Sequence, residues 1–199
     1  MNTPAVFFDR DNTLIVSDGY LGDAAKVVLI DGAADAIARL RQAGYAIVVV
    51  SNQSGIARGL FDEPAARAVN ARLCELLLQE NPEAKIDQQE YCPHHPQAPL
   101  AAYRVDCDCR KPRPGMLLKA AQELHLDLGN SYLVGDAPRD MEAGKAAGCR
   151  TVLFVDPALS ASMATLEKQT VKADFEVKSL REAADVILRD RPGNTPRIS

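Results

Sequence analysis

The run Ala-Ile-Val-Val-Val at residues 46–50 restricts the fold most, because it contains no polar residue. A strand without polar alternation is buried on both faces, as in a parallel sheet that carries helices on both sides. Further strand-like runs occur at residues 5–8, 131–134 and 150–155, and helix-like segments separate them. This alternation predicts an α/β fold with a Rossmann-like parallel sheet and helices on both faces.

Helix signals lie between these strands. Asp62 can cap a helix that runs to about residue 79, and Gly44 suits the position just after a helix over residues 33–43. Residues 93–113 are expected to be irregular, because they are rich in Pro, Cys, His and Arg. The other segments are predicted as helices at 114–124, before Gly148 and at 180–188, and as strands at 88–92 and 173–177.

Composition and charge disfavour several classes of partner. The 199 residues carry a net charge of −4 with no basic block, which argues against a nucleic-acid partner. No apolar stretch approaches the ~20 residues of a membrane helix, and no secretory signal is visible. We therefore expect a cytoplasmic protein without a membrane partner, whose five cysteines are free thiols or metal ligands. No hydrophobic stripe is left over for a subunit contact, which favours a monomer.

Polar side chains follow three of the predicted strands directly. Asp9 and Asp11 follow the first strand, Ser51 follows the second, and Asp136 follows the fourth. In parallel α/β sheets ligands bind beyond the carboxyl ends of the strands, so these side chains are expected to gather at one edge. Carboxylate oxygens are typical ligands of Mg²⁺, and a carboxylate beside Mg²⁺ can attack phosphorus. The alternative for each residue is an ordinary turn at a strand end.

The same positions resemble the motifs of haloacid-dehalogenase-like (HAD) phosphatases. Residues 7–14, FFDRDNTL, are similar to the first motif of that superfamily, and Ser51 lies in a segment similar to the second. Lys111 matches the third motif, and residues 135–140, GDAPRD, resemble the fourth. The motifs occur in the superfamily order and the resemblance covers residues 5–190, which implies a single HAD-like domain over 1–190. Residues 191–199 are expected to form a flexible tail.

The resemblance implies a role for each motif residue. Asp9 is the nucleophile that forms an aspartyl-phosphate. Asp11 donates a proton to the leaving oxygen and then activates water. The catalytic Mg²⁺ is held by the Asp9 carboxylate, the Asp11 backbone carbonyl and Asp136. Ser51 and Lys111 bind the oxygens of the transferring phosphoryl group.

Two positions depart from the superfamily pattern. Position 12 is Asn where many relatives have Gly, and Asn tolerates a left-handed backbone, so the turn is expected to form. Position 137 is Ala where close relatives often carry Lys or Arg, which removes one positive contact near the phosphate. The role of Asp140 stays open between orienting Lys111 and merely starting a helix.

A cluster of cysteine and histidine residues predicts a second metal site. Cys92 and His94 form a C-x-H pair, Cys107 and Cys109 form a C-x-C pair, and twelve residues separate the pairs. Four such donors suit a tetrahedral Zn²⁺ and leave no open coordination position, so the zinc is structural. The loop over residues 92–109 has no core of its own, and a metal would stabilise it. His95 is an alternative ligand to His94.

The loop motifs narrow the resemblance to one group of enzymes. Residues 92–96 (CPHHP), 107–112 (CDCRKP) and 51–59 (SNQSGIARG) are similar to the D-glycero-D-manno-heptose 1,7-bisphosphate 7-phosphatases. The resemblance implies removal of the 7-phosphate in nucleotide-activated heptose biosynthesis, a source of lipopolysaccharide sugars. Arg110 is a suitable partner for the phosphate that stays on carbon 1. The implied substrate-binding residues are Gly19, Tyr20, Ser51, Asn52, Gln53, Arg110 and Lys111.

Two other functions stay open from the sequence. Histidinol-phosphate phosphatases share the Cys-Pro-His and Cys-Asp-Cys-Arg-Lys-Pro segments but usually have a shorter loop between them. A catalytically inactive relative could use the pocket to bind phosphate. The presence of both Asp9 and Asp11 argues against inactivity, because loss of either is the usual route to it.

Overall fold

The computed structural model describes residues 2–157 and 171–191, and within them six parallel strands form one sheet. The strands are β1 (Ala5–Phe8), β2 (Ala46–Asn52), β3 (Gln88–Cys92), β4 (Tyr132–Gly135), β5 (Arg150–Phe154) and β6 (Phe175–Val177). Their order across the sheet is β3-β2-β1-β4-β5-β6, so β1 is flanked by β2 and β4. The predicted parallel α/β architecture is confirmed.

Helices connect the strands and end where the sequence indicates. They are α1 (Ala33–Gln42), α2 (Ser54–Ala57), α3 (Glu63–Glu80), α4 (Gly115–Leu124), α5 (Pro138–Ala147) and α6 (Leu180–Arg189). Asp62 caps α3 by accepting a hydrogen bond from the Ala65 amide. Gly148 ends α5 with a φ of 84°, a conformation that glycine adopts without strain. None of the helices within 2–157 and 171–191 is long and apolar enough to span a membrane.

The sheet has a hydrophobic core on each face, which explains the apolar strands. On one face Val6 and Phe8 of β1 lie in a cluster with residues of α1, α3 and α6. On the other face Phe7 lies in a cluster with residues of α4 and α5. Successive residues of β1 thus enter opposite cores, as the two-sided burial of a parallel strand requires. The second cluster includes Val48, Val50, Met116, Leu117, Leu133 and Ala143.

Three local features differ from the sequence prediction. β2 extends through Asn52, so Ser51 lies inside the strand rather than after it. The short helix α2 was not predicted, because four residues are too few for a helical period to be recognised. Pro114 is the residue before α4 rather than its first residue. The predicted tail at 191–199 lies, after Arg191, outside the described residues.

The loop between β3 and α4 is attached to α3 by two tyrosines. The hydroxyls of Tyr91, in β3, and Tyr103, in the short 3-10 turn Ala101–Tyr103, each donate a 2.9 Å hydrogen bond to the Glu63 carboxylate. These hydrogen bonds, with Tyr103 first, lower the pKa of Glu63. The contacts fix both the start and the middle of the loop against the first turn of α3.

Candidate active site and metal centres

The sheet order brings the predicted catalytic residues to one edge. Asp9 follows β1, Ser51 lies near the end of β2, and Asp136 follows β4, and these three strands are neighbours. All their carboxyl ends point the same way, because the strands are parallel. Asp9 and Ser51 are buried, with 3% and 2% of their surfaces exposed.

Lys111 joins this group from the end of the long loop. Its Nζ lies 2.9 Å from Asp9 Oδ1 and 2.7 Å from Asp140 Oδ1, and it donates a 2.7 Å hydrogen bond to the Val50 carbonyl. Burial by itself lowers the pKa of Lys111, but the Asp140 and Asp9 carboxylates outweigh it and raise that pKa. Lys111 is therefore a buried cation that neutralises two carboxylates.

Asp140 serves both the site and the helix that carries it. Its Oδ2 accepts a 3.1 Å hydrogen bond from the Ala137 amide at the start of α5, while Oδ1 contacts Lys111. Gly135 leaves room for it, since a Cβ at that position would lie 2.5 Å from the Asp140 Cβ. The two interpretations of Asp140 from the sequence, orienting Lys111 and starting a helix, therefore both describe its geometry.

The carboxylates of Asp9, Asp136 and Asp140 form a group that fits a divalent cation. One oxygen from each lies within 4.8 Å of the others. Asp136 Oδ1 is buried and has no hydrogen-bond partner among the described residues. Burial, followed by the nearby Asp9 and Asp140 carboxylates, raises the pKa of Asp136 to about 8. A cation beside Asp136 would stabilise its ionised form against burial and the neighbouring negative charges. Oxygen donors of this kind suit Mg²⁺.

The Asp11 carboxylate contacts Arg10 and Gln53 and is not part of the cluster of three carboxylates. Asp11 Oδ1 lies 3.1 Å from Arg10 Nη2, and the carboxylate accepts a 2.7 Å hydrogen bond from Gln53 Nε2. The same Gln53 nitrogen donates to Ser51 Oγ at 2.7 Å. Asn12 has a φ of 59°, the left-handed conformation that the sequence analysis expected an Asn to tolerate.

The predicted substrate-binding residues make several different contacts within the protein. The side-chain amide of Asn52 forms hydrogen bonds with the backbone of Lys111. Arg110 Nη1 donates a 3.1 Å hydrogen bond to the His94 carbonyl. Tyr20 is 51% exposed and lies under Arg58, whose Cζ is 5.7 Å from the ring centroid. Gly19, beside Tyr20, has a φ of 148°.

The four predicted zinc ligands lie together in the long loop. The sulfur of Cys109 is 3.0 Å from that of Cys92 and 3.3 Å from that of Cys107, and 3.5 Å from His94 Nδ1. In a tetrahedral site with zinc–sulfur bonds of about 2.3 Å, two sulfurs are about 3.8 Å apart, so a small shift admits the ion. The contact with Cys92 lowers the pKa of Cys109 to about 5, so a thiolate is present to bind a cation.

The structure distinguishes the two neighbouring histidines. His94 Nδ1 faces the sulfurs, whereas His95 Nδ1 accepts a 3.1 Å hydrogen bond from the Gln97 amide. The donor set of Cys92, His94, Cys107 and Cys109 therefore fits zinc without His95. Soft sulfur donors and one imidazole favour Zn²⁺ over Mg²⁺.

Sequence reasoning did not identify Arg10 and Asn70 as parts of the site. Arg10 is completely buried and its Nη1 donates a 2.7 Å hydrogen bond to Asn70 Oδ1. Asn70 lies on α3, in the buried stripe that also contains Ala66 and Leu73. A polar residue at helical spacing within an apolar stripe was the signal that could have revealed it.

Comparison with known proteins places the chain among HAD-type hydrolases. Residues 108–183 match the family model described as HAD-hydrolase-like. A D-glycero-beta-D-manno-heptose-1,7-bisphosphate 7-phosphatase from Salmonella typhi is 40% identical over 190 residues, 96% of this chain and 98% of the relative. The enzyme of the same name from Escherichia coli K12 is 44% identical over 154 residues, 77% of this chain and 80% of the relative.

A solved structure agrees with these sequence relatives. The D,D-heptose 1,7-bisphosphate phosphatase from B. bronchiseptica, complexed with magnesium and phosphate, has a TM-score of 0.75 and 30% sequence identity. The match covers 94% of this chain and 99% of that one. The similarity thus extends over nearly the whole length of both chains.

Proposed function

Because this chain belongs to the D-glycero-beta-D-manno-heptose-1,7-bisphosphate 7-phosphatase family of HAD-like hydrolases, we propose that it removes the 7-phosphate of that sugar. The product, a heptose 1-phosphate, would serve nucleotide-activated heptose biosynthesis. The observation that carries the proposal is the ion pair of Asp9 with Lys111 at the carboxyl edge of the sheet, 2.9 Å long and buried. A carboxylate beside a buried cation at this edge supports an attack by Asp9 on a phosphoryl group that Lys111 binds.

In the first step Asp9 attacks phosphorus. Among the described residues both donors to Asp9, the Arg10 amide and Lys111 Nζ, contact Oδ1, so Oδ2 is the attacking oxygen. A bond forms between this oxygen and phosphorus as the bond from phosphorus to the sugar oxygen breaks. The proton of the Asp11 carboxyl group moves to the sugar oxygen, which leaves as an alcohol. The enzyme then carries an aspartyl-phosphate.

In the second step water releases the phosphate. Asp11, now a carboxylate, takes a proton from the water as its oxygen bonds to phosphorus, and the bond to Asp9 breaks. Lys111 and Ser51 bind the phosphoryl oxygens, whose negative charge is shared with these donors. Inorganic phosphate leaves, and both aspartates return to their starting states.

The two metal ions have different parts in the proposal. Mg²⁺ would be held by Asp9, Asp136 and the Asp11 backbone carbonyl, and when bound it neutralises charge on the incoming phosphate. The unpartnered Asp136 Oδ1 supports this assignment. Zn²⁺ would be held by the four loop donors as a structural ion. Its site is directly followed in the chain by Arg110 and Lys111, so it fixes the backbone that presents both cations.

The substrate has a second phosphate, and Arg110 is the proposed partner for it. The 3.1 Å hydrogen bond to the His94 carbonyl uses Nη1 and ties the guanidinium to the zinc loop. Gly19, Tyr20, Asn52 and Gln53 are proposed to contribute to the same sugar-binding rim. The remaining parts of the proposal are a single domain over residues 1–190, a monomer and a cytoplasmic location.

The decisive experiment compares three substrates with and without Mg²⁺. The wild-type enzyme and Arg110→Ala are assayed for kcat/KM on the heptose 1,7-bisphosphate, the 7-monophosphate and histidinol phosphate. We expect the bisphosphate to be preferred by about ten- to a hundredfold, since a charge-assisted contact contributes roughly 1.5–3 kcal/mol. Arg110→Ala should reduce this preference more than it reduces activity on the monophosphate.

Arg113→Ala is the matched control, because Arg113 lies in the same loop and pairs with Asp106 at the surface. It should leave the substrate preference unchanged. Histidinol phosphate as the best substrate would replace the bisphosphatase assignment with the runner-up. An equal loss on all three substrates in Arg110→Ala would assign Arg110 a general phosphate-binding role.

A further inference from the structure

The Arg10 guanidinium is buried, and each of its three nitrogens contacts either Asp11 or Asn70. Nε lies 3.2 Å from Asp11 Oδ1, and Nη2 lies 3.1 Å from Oδ1 and 3.2 Å from Oδ2. Nη1 lies 2.7 Å from Asn70 Oδ1. Arg10 is 0% exposed and is the largest fully buried side chain of the described residues. Its planar fork therefore meets the Asp11 carboxylate on one side and the Asn70 amide on the other.

A buried cation in this position needs its partners. Removing a charge from water costs several kcal/mol unless an opposite charge and hydrogen bonds compensate it. The Asp11 carboxylate supplies this charge until Asp11 takes up the proton that it donates in the first step, and Asn70 supplies the remaining acceptor. Because the guanidinium is planar and rigid, its three contacts to Asp11 also restrict the plane in which the carboxylate lies.

Asn70 is held by a helix and by a contact with a neighbouring strand. It lies on α3 and is 8% exposed, and its backbone carbonyl accepts a 3.3 Å hydrogen bond from Gln89 of β3. A side chain fixed by a helix and a strand can set the position of Arg10 more precisely than one on a loop. The apolar neighbours Ala66 and Leu73 on the same stripe show that the packing alone does not require an amide there.

Gln53 completes the arrangement from the other side. Its Nε2 is 2.7 Å from Asp11 Oδ2 and 2.7 Å from Ser51 Oγ, and the residue is 3% exposed. The Asp11 carboxylate thus lies between the Arg10 fork and the Gln53 amide. Neither Arg10 nor Asn70 has a place in the reaction sequence described above, so their interactions have no other assigned purpose.

We infer that Arg10 and Asn70 are positioning residues, which aim the Asp11 carboxyl group at the oxygen that leaves with the sugar. Asn70 fixes the guanidinium, and the guanidinium fixes Asp11. The inference rests on the proposed function for the identity of the acid and of its substrate. A small misplacement of a catalytic group can cost a large part of its effect, so α3 contributes to the rate without touching the substrate.

The test compares two phosphate esters whose leaving groups differ in how strongly they depend on protonation by a general acid. A sugar alkoxide must be protonated as it leaves, whereas 4-nitrophenolate leaves as a stable anion. The value of kcat/KM is measured for both in wild type, Asn70→Leu, Arg10→Lys and Asn70→Asp. Asn70→Leu removes the acceptor, and Arg10→Lys keeps the charge but loses the fork. Both should lose about tenfold or more on the sugar phosphate relative to 4-nitrophenyl phosphate.

Asn70→Asp is the conservative variant, because its carboxylate oxygen can still accept a hydrogen bond from Arg10. Its ratio of kcat/KM on the sugar phosphate to kcat/KM on 4-nitrophenyl phosphate should be close to that of wild type. Glu75→Gln, on the exposed side of α3, is the control for changes in that helix and should keep the wild-type ratio. If Asn70→Leu does not fold, Arg10→Lys gives the same comparison.

Equal losses on the two esters, or no loss in either variant, would overturn the inference. A wild-type enzyme that does not hydrolyse the heptose bisphosphate would instead overturn the proposed function. In that event the ratio is measured with whichever sugar phosphate the enzyme hydrolyses, so the two failures remain distinguishable.

Discussion

The side-chain amide of Asn52 binds both backbone polar groups of Lys111. Asn52 Oδ1 accepts a 3.0 Å hydrogen bond from the Lys111 amide, and Asn52 Nδ2 donates a 2.9 Å bond to the Lys111 carbonyl. The pair joins the end of β2 to the end of the zinc loop across 59 residues of sequence. It fixes the backbone from which the buried ammonium reaches Asp9.

Replacement of Asn52 by Ala should therefore impair catalysis through Lys111. Two hydrogen bonds are lost, at a cost of about 1–3 kcal/mol in stability. We expect a lower melting temperature and a lower kcat. Asn130→Ala is the matched control, since Asn130 is exposed and bonds only Asp127 among the described hydrogen bonds of its side chain. Wild-type kcat in a folded Asn52→Ala protein would contradict the prediction.

Asp9→Asn should abolish turnover and keep the fold. A neutral amide cannot attack phosphorus, while Lys111 keeps Asp140 as a charged partner 2.7 Å away. A phosphate-release assay measures the loss of turnover, and circular dichroism checks that the fold is kept. Measurable turnover in the pure, folded variant would refute the nucleophile assignment. Asp11→Asn should lower activity by roughly 10²–10⁴, because the leaving oxygen loses its acid.

The purified protein should contain about one zinc ion per chain, as the four clustered donors imply. Cys107→Ala should reduce the zinc content, lower the melting temperature and increase hydrogen exchange in residues 92–111. Activity should fall because Arg110 and Lys111 are misplaced. Cys74→Ala is a suitable control, since Cys74 lies on α3 outside the donor cluster. Zinc-free protein from zinc-replete medium, or unchanged melting in Cys107→Ala, would exclude the site.

Asp174 should make stability depend on pH in the acid range. Although burial raises its pKa, contacts with Lys145 and Thr151 outweigh burial and lower it below the ordinary value of 3.8. A carboxylate with a lowered pKa in the folded state stabilises the protein above the unfolded-state pKa and loses this effect as pH falls through the folded-state pKa. The free energy of unfolding of wild type should exceed that of Asp174→Asn at pH 6, and the difference should disappear in strong acid. A difference independent of pH would contradict this.

The sequence was sufficient to predict the fold and the sheet edge at which the proposed catalytic residues gather, for a physical reason. Apolar strands and capped helices are local signals, and Asp62, Gly44 and the run at 46–50 each act through their immediate neighbours. Asp9, Ser51 and Asp136 could be brought together because parallel strands order their carboxyl ends at one edge.

Contacts between side chains that are far apart in the sequence could not be predicted from local sequence patterns. The side-chain amide of Asn52 binds the backbone of Lys111, a contact that no spacing along the chain could indicate. The Arg10–Asn70 contact spans 60 residues, and its geometry depends on how α3 lies on the sheet. Burial of an arginine next to Asp9 is equally impossible to predict from composition or periodicity.

The attachment of the zinc loop has a consequence for how such an enzyme can change over time. The loop is held at Tyr91 and Tyr103 by Glu63, at its four clustered donors, and at Lys111 by Asn52. Insertions or exchanges between His94 and Cys107, other than at Tyr103, would alter the proposed sugar-binding rim without moving the proposed reaction centre. New substrates can thus be acquired by drift in one surface segment, while the phosphate chemistry is inherited unchanged.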